Sequence, residues 1–160
     1  MISTTANDPL VLGPMLRYVD ETSATVWVRT ADAVTVTVER AGRSWSAPTF
    51  AVHGSHFALV VLDGLAPGSD DAYEVQLDGV SVWPLPGMPP SRIRTLDPTR
   101  EPRFAFGTCR TTASHDEVGN RDHGVDALRS VAITLRDDPA AAWPDLLLLL
   151  GDQVYADTTP

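Results

Sequence analysis

At 160 residues, 43% hydrophobic and 21% charged, the chain has the composition of an ordinary globular protein, with room for one good core or two small ones, which excludes a disordered tail. A formal net charge of −9 argues against a nucleic-acid surface, which needs clustered cations to displace counterions from phosphates, and is compatible with binding metal cations. The lone cysteine, Cys109, excludes an internal disulfide framework and is either a small buried hydrophobe or a reactive or metal-binding thiol.

The start, Met1 to Pro9, has neither the basic region nor the apolar stretch of a secretory leader, and no run approaches the roughly 18 apolar residues of a spanning helix. Neither secretion nor a membrane segment is expected, which leaves the cytoplasm as the default compartment. From Leu10 to about Leu96, short alternating runs are split by turn residues without a helical period. Thr25 to Arg29 alternates, and Val34, Val36 and Val38 share one face with threonines on the other. After a less regular segment from Trp45 to Pro48, strands are expected over His56–Leu62, Ala72–Leu77 and Val80–Trp83, the last two joined by an Asp78-Gly79 hairpin turn. Trp27, Trp45 and Trp83 are expected in the core, His53 and His56 at the surface or in turns. Trp83 to Pro90 reads as a rigid loop because each proline removes a ladder donor, and Ser91 to Leu96 as a last edge strand. This spacing predicts an immunoglobulin-like or fibronectin-like sandwich. Leu65 to Tyr73 resembles the leucine, proline and tyrosine corner of fibronectin type III domains, with Tyr73 either capping the corner or packing on a face.

Asp97 to Pro102 reads as a linker, which places a boundary near Thr99, with a sandwich over 1–99 and a second domain over 100–160. Beyond it the pattern becomes strand, helix, strand, as in an α/β domain. Arg103 to Cys109 predicts a short strand, and Thr111 to Gly124, with its acids and histidines, a long loop. Val125, Leu128, Val131, Ala132 and Leu135 recur at helical spacing up to Arg136, and Asp138-Pro139 stops the helix. The leucines from Leu146 to Leu150 predict a strand buried on both faces, as in a parallel sheet. That strand delivers Asp152, Tyr155 and Asp157 beyond its carboxyl end, where open α/β sheets place their chemistry. A lone β-α-β unit would leave it uncovered, so these residues are expected to be the N-terminal part of a longer protein.

Three elements, Phe104-Ala-Phe-Gly-Thr-Cys109, Gly151-Asp152-Gln153-Val154-Tyr155 and the preceding sandwich, together resemble an alkaline phosphatase D (PhoD-like) metallophosphoesterase. The resemblance covers nearly the whole chain. It implies a fibronectin-like sandwich followed by the first β-α-β unit of an α/β metallophosphoesterase domain, truncated here. It implies a metal-dependent phosphoric ester hydrolase with a phosphate ester substrate and a binuclear metal centre, iron with calcium, manganese or zinc. By the same likeness Asp152, in the family's Gly-Asp-x-x-Tyr motif, bridges two cations, while Tyr155 and Cys109 ligate the iron-type site. The residue types suit that chemistry: a carboxylate has two oxygens for two cations, and phenolate and thiolate favour a ferric ion over Mg²⁺. Family members follow the cysteine with a glutamine or an acidic or amide residue, whereas Arg110-Thr111-Thr112 follows here, and the family's Asn-His motifs would lie beyond Pro160. No catalytic residue is therefore assigned, and these residues alone are expected to be catalytically silent.

Plainer readings stand beside these. Asp152 is otherwise a turn residue after Gly151, and Cys109 a strand-end thiol. Arg110 either contacts a substrate phosphate or forms a surface salt bridge with Asp116 or Glu117. His115 and His123, near Asp116, Glu117, Asp122 and Asp126, match no metal-ligand spacing and read as part of a solvated loop. The competing function is a non-catalytic, fibronectin-like binding or interaction module with a degenerate α/β remnant. Nucleotide binding lacks its Gly-x-Gly-x-x-Gly signature after Phe104 or Leu146. Nothing in the pattern sets an oligomeric state.

Overall fold

Alternation decides the architecture of the first hundred residues. In the computed structural model, which describes residues 8–111, 113–137, 143–152 and 155, nine strands precede Glu101: β1 Leu10–Val19, β2 Ala24–Thr30, β3 Thr35–Arg40, β4 Arg43–Pro48, β5 Phe50–Val52, β6 Ser55–Leu62, β7 Asp70–Leu77, β8 Val80–Trp83 and β9 Arg92–Arg94. They form two sheets, one ordered β1-β2-β6-β5 and the other β4-β3-β7-β8, with β9 pairing the free half of the β7 edge. Ala24, Val26, Val28 and Thr30 of β2 are buried while the residues between them are half-buried, as period-two side chains require. Val36 and Val38 of β3, Ala58, Val60 and Leu62 of β6, and Tyr73, Val75 and Leu77 of β7 complete a core between the sheets. Each fully buried valine or leucine contributes about 1.5–3 kcal/mol from leaving water.

Two charged clusters fasten this core. Arg40 is buried, but its guanidinium reaches Asp71 at 3.0 Å, the Ser69 hydroxyl at 2.8 Å and the Ile93 carbonyl at 3.2 Å. Asp70 accepts from Arg92 Nε at 2.7 Å and Arg94 Nη2 at 3.1 Å, which clamps β9 to β7. The Tyr73 amide donates to the Ser91 carbonyl at 3.0 Å and its ring is buried on the core face of β7, so it packs on a face. Its phenol is raised by burial, against a hydrogen bond with Ser91.

Two expectations about the sandwich are corrected. Trp27 is not core: with Val26 and Val28 inward it must face outward, where it is half-buried and stacks on Phe57 with centroids 5.8 Å apart. Trp45 and Trp83 do pack against the core. The segment expected to be irregular, Trp45 to Pro48, lies in β4, because Ala41 and Gly42 turn the chain with positive φ of 49° and 74° and no Asn or Asp announced a hairpin. Asp78-Gly79 makes the expected turn with φ of 47° and 82°. His53 makes another with Gly54, while His56 sits half-buried in β6.

Residues 102–160 form a second compact unit: β10 Phe104–Gly107, α1 Glu117–His123, α2 Ala127–Asp137 and β11 Leu146–Leu149. The two strands are parallel neighbours, with Phe104 opposite Leu146 and Gly107 opposite Leu149. The segment expected to be one long loop contains α1. Asp116 caps it, accepting from the Gly119 amide at 2.8 Å, and Gly119 packs so closely on the Ser114 carbonyl that a Cβ would collide with it. With no apolar stripe, that helix leaves no periodic trace. The leucine strand is not buried either: Leu146 to Leu150 are 36–62% exposed, because two strands give each leucine a single lateral neighbour among the described residues. The helix stop at Asp138-Pro139 lies outside the described residues, and no described helix is long and apolar enough to cross a membrane.

Candidate metal centre

Parallel pairing of β10 with β11 sets the two following loops side by side at the carboxyl ends of both strands. The ladder continues past the strands: Leu150 donates to the Gly107 carbonyl at 2.9 Å, Cys109 to Gly151 at 3.1 Å and Arg110 to Asp152 at 2.8 Å. The Thr108 hydroxyl adds a bond to the Gly151 carbonyl at 3.0 Å. Zipping the loops forces a tight reversal, and Cys109 and Asp152 take left-handed φ of 59° and 48°. Such backbone is uncommon for cysteine and better tolerated by aspartate. Non-glycine residues held there cluster at ligand sites, where neighbouring structure enforces the strain.

The result is a convergence of three acidic side chains. The Cys109 thiol donates to Asp152 Oδ2 at 3.7 Å, and Tyr155 reaches the same two groups. Its phenol is pushed up to about 12, first by the hydrogen bond with Cys109, then by desolvation and the negative charges of Cys109 and Asp152. All three side chains are exposed to solvent, so a ligand can reach them. A phenol whose ionisation is hindered by neighbouring acids suits a cation, which reverses the sign of the interaction and releases the proton. Thiolate, carboxylate and phenolate are all anionic donors that can hold a cation. Among the described residues no cluster of three or more His, Cys, Asp or Glu exists; the trio counts two of these types and a tyrosine. Gln153, Val154 and Asp157 lie outside the described residues.

Arg110 does not pair with Asp116 or Glu117. Its Nε and Nη2 reach Asp126 Oδ2 at 3.1 and 2.9 Å, while Asp126 Oδ1 accepts the Arg129 amide at 3.0 Å at the start of α2. The Arg110 hydrogen bonds lead in holding the Asp126 carboxyl below the usual range, ahead of the Arg129 amide. One carboxylate thus ties the Cys109 loop to α2. Asp116 is spent on its own helix. The helical repeat in the sequence starts at Val125, whereas α2 begins at Ala127 with Asp126 as its cap, an acid type that favours that position. His115 and His123 are exposed, and both line a cavity of about 260 Å³ under α2 that also reaches Cys109 and Arg110.

No curated protein matches the sequence. Among solved structures, PhoD is similar over 96% of this chain at 20% identity with a TM-score of 0.62, which shows a shared fold. The chain spans 29% of the length of PhoD. A carbohydrate acetylesterase from Xanthomonas citri aligns with 82% of the chain and 37% of its own, at 11% identity and a TM-score of 0.37. The family model described as a domain of unknown function, DUF7800, matches residues 7–95, and the chain belongs to that family.

Proposed function

We propose that this chain supplies part of the binuclear metal site of a phosphoric ester hydrolase, with a fibronectin type III-like sandwich over 1–99 and the start of a metallophosphoesterase domain over 100–160. The single observation that carries the reading is the meeting of Cys109, Asp152 and Tyr155 at the ends of two parallel strands. Likeness to the fold of PhoD supports it, as does the sandwich itself, a four-stranded sheet packed on a five-stranded one. Asp152 would bridge two cations, with Cys109 and Tyr155 on the iron-type ion and calcium, manganese or zinc as its companion. The metals, when bound, would activate a water and neutralise the leaving oxygen of a phosphate ester. The chain's own residues do the positioning: the zipped loops fix Cys109 against Asp152, and the Asp126 pair ties the Arg110 side chain to α2. In the intact protein, Asp152→Asn is expected to abolish hydrolysis of a chromogenic phosphate ester and to lower the metal content, with a larger loss than Tyr155→Phe. Unchanged metal and turnover would make Asp152 a turn residue.

A second reading, a non-catalytic interaction module, is favoured by the outer face of the β1-β2-β6-β5 sheet, where Phe50, Leu59 and Val61 are 52%, 44% and 56% exposed beside Trp27 and Phe57. Metal analysis separates the two. The hydrolase reading requires about two cations per chain in the intact protein, the module none.

A further inference from the structure

A side chain is missing from the sheet face beneath α2. Gly107 occupies a strand position where an added Cβ would meet no atom within 4 Å, and its backbone is not left-handed, so conformation does not require glycine there. The gap belongs to the cavity of about 260 Å³, whose apolar walls are Ala105, Leu147 and Leu149 from the strands and Leu128 and Val131 from α2. Benzene enters an aliphatic cavity of about 150 Å³, and drug-sized ligands need roughly 300 Å³ or more. The space therefore takes one aryl ring or a short alkyl chain, not a nucleoside. The rest of the lining is largely polar, with Thr108, Arg110, Ser114, His115 and Asp126, and it includes Cys109, which the cavity shares with the candidate metal centre. A ligand that satisfies both parts has an apolar body and an anionic head.

We infer that the cavity under α2 is the subsite for the organic group of the phosphoric ester, and that the substrate class is an ester of an aryl or short-chain aliphatic alcohol. Between Leu128, Val131, Leu147 and Leu149 a hydroxyl would lose water without gaining a partner, so this part of the cavity favours an aryl or alkyl group over a polyol. This inference rests on the hydrolase reading, but its test does not need the metals.

The test is fluorine NMR of the protein with para-fluorophenol and para-fluorophenyl phosphate, with glycerol phosphate as competitor. Both aryl probes should bind, glycerol phosphate should not displace the phenol, and ring protons should show Overhauser contacts to the methyls of Leu147 and Leu149. Gly107→Leu, which fills the gap, should weaken both probes at least about tenfold. Asp152→Asn should leave the phenol bound, so a failed metal site and a failed cavity are told apart. Absence of phenol binding, unchanged affinity in Gly107→Leu, or contacts to Phe104, Phe106 or Trp27 instead would overturn the inference, and so would binding of the phenol without the aryl phosphate. If Gly107→Leu disturbs the fold, Val131→Phe fills the cavity from the helix side, and the methyl contacts of the unsubstituted protein decide alone.

Discussion

Cys109 and Asp152 hold left-handed φ without being glycine, as Ala41, His53 and Asp78 do in the turns of the sandwich. Replacing Cys109 by glycine removes the steric penalty but raises the entropy of the unfolded chain, two effects of about 1 kcal/mol each and of opposite sign. Cys109→Gly should therefore change stability by less than about 1 kcal/mol in a denaturant titration. It should also return Tyr155 toward its ordinary value of 10.0 from about 12, because the hydrogen bond with Cys109 leads the shift. Ultraviolet titration of the phenols reads that change directly. The sign follows from a raised value: the folded chain holds the Tyr155 proton more tightly. Its contribution is complete below the unfolded value of 10.0 and is lost as pH rises through about 12.

At the scale of elements, the turns and clamps carry the tests. Ala41 sits at φ 49° in the β3-β4 turn, which Asn occupies with less strain. Ala41→Asn should stabilise the sandwich by up to about 1 kcal/mol and Ala41→Val should destabilise it, read as midpoint shifts in thermal unfolding. Burial pushes Asp70 up, yet the hydrogen bonds and charges of Arg92 and Arg94 outweigh it and hold the carboxyl below 3.8. A lowered value means stability that is present above 3.8 and lost as pH falls through the folded value. Asp70→Asn should flatten the acid limb of the stability curve and loosen β9 from β7. Legibility followed the same logic. Val34, Val36 and Val38, and the Asp78-Gly79 turn, were readable because period two and turn chemistry are local. The helix α1 was not, since Asp116 and Gly119 hold it through a cap and a close contact with Ser114 that no periodicity records. The leucine run was misread because burial depends on how many neighbours a strand has, which its own composition does not encode. Asp152 and Tyr155 were legible together as the residues delivered beyond the leucine strand, but Cys109 joined them only through family likeness, since no spacing rule links a strand end at Cys109 to a turn at Asp152.

For the whole molecule, the two units should differ in stability. The sandwich holds Val26, Val28, Val60, Leu62 and Val75 at zero exposure, whereas Phe104, Phe106 and Leu146 to Leu150 remain open. Amide exchange should therefore protect β2, β6, β3 and β7 up to the global unfolding limit, while β10 and β11 exchange through local opening. Equal protection in both sets would contradict that difference. The central claim concerns the other end of the scale, a cation held where β10 and β11 finish. It is tested most directly by metal analysis of the intact protein beside its Asp152→Asn variant, with circular dichroism to show that the sandwich stays folded. The account predicts about two equivalents in the unsubstituted protein and the loss of at least one in the variant, because an amide cannot supply two anionic oxygens to a cation pair. Equal metal content in both proteins would contradict it.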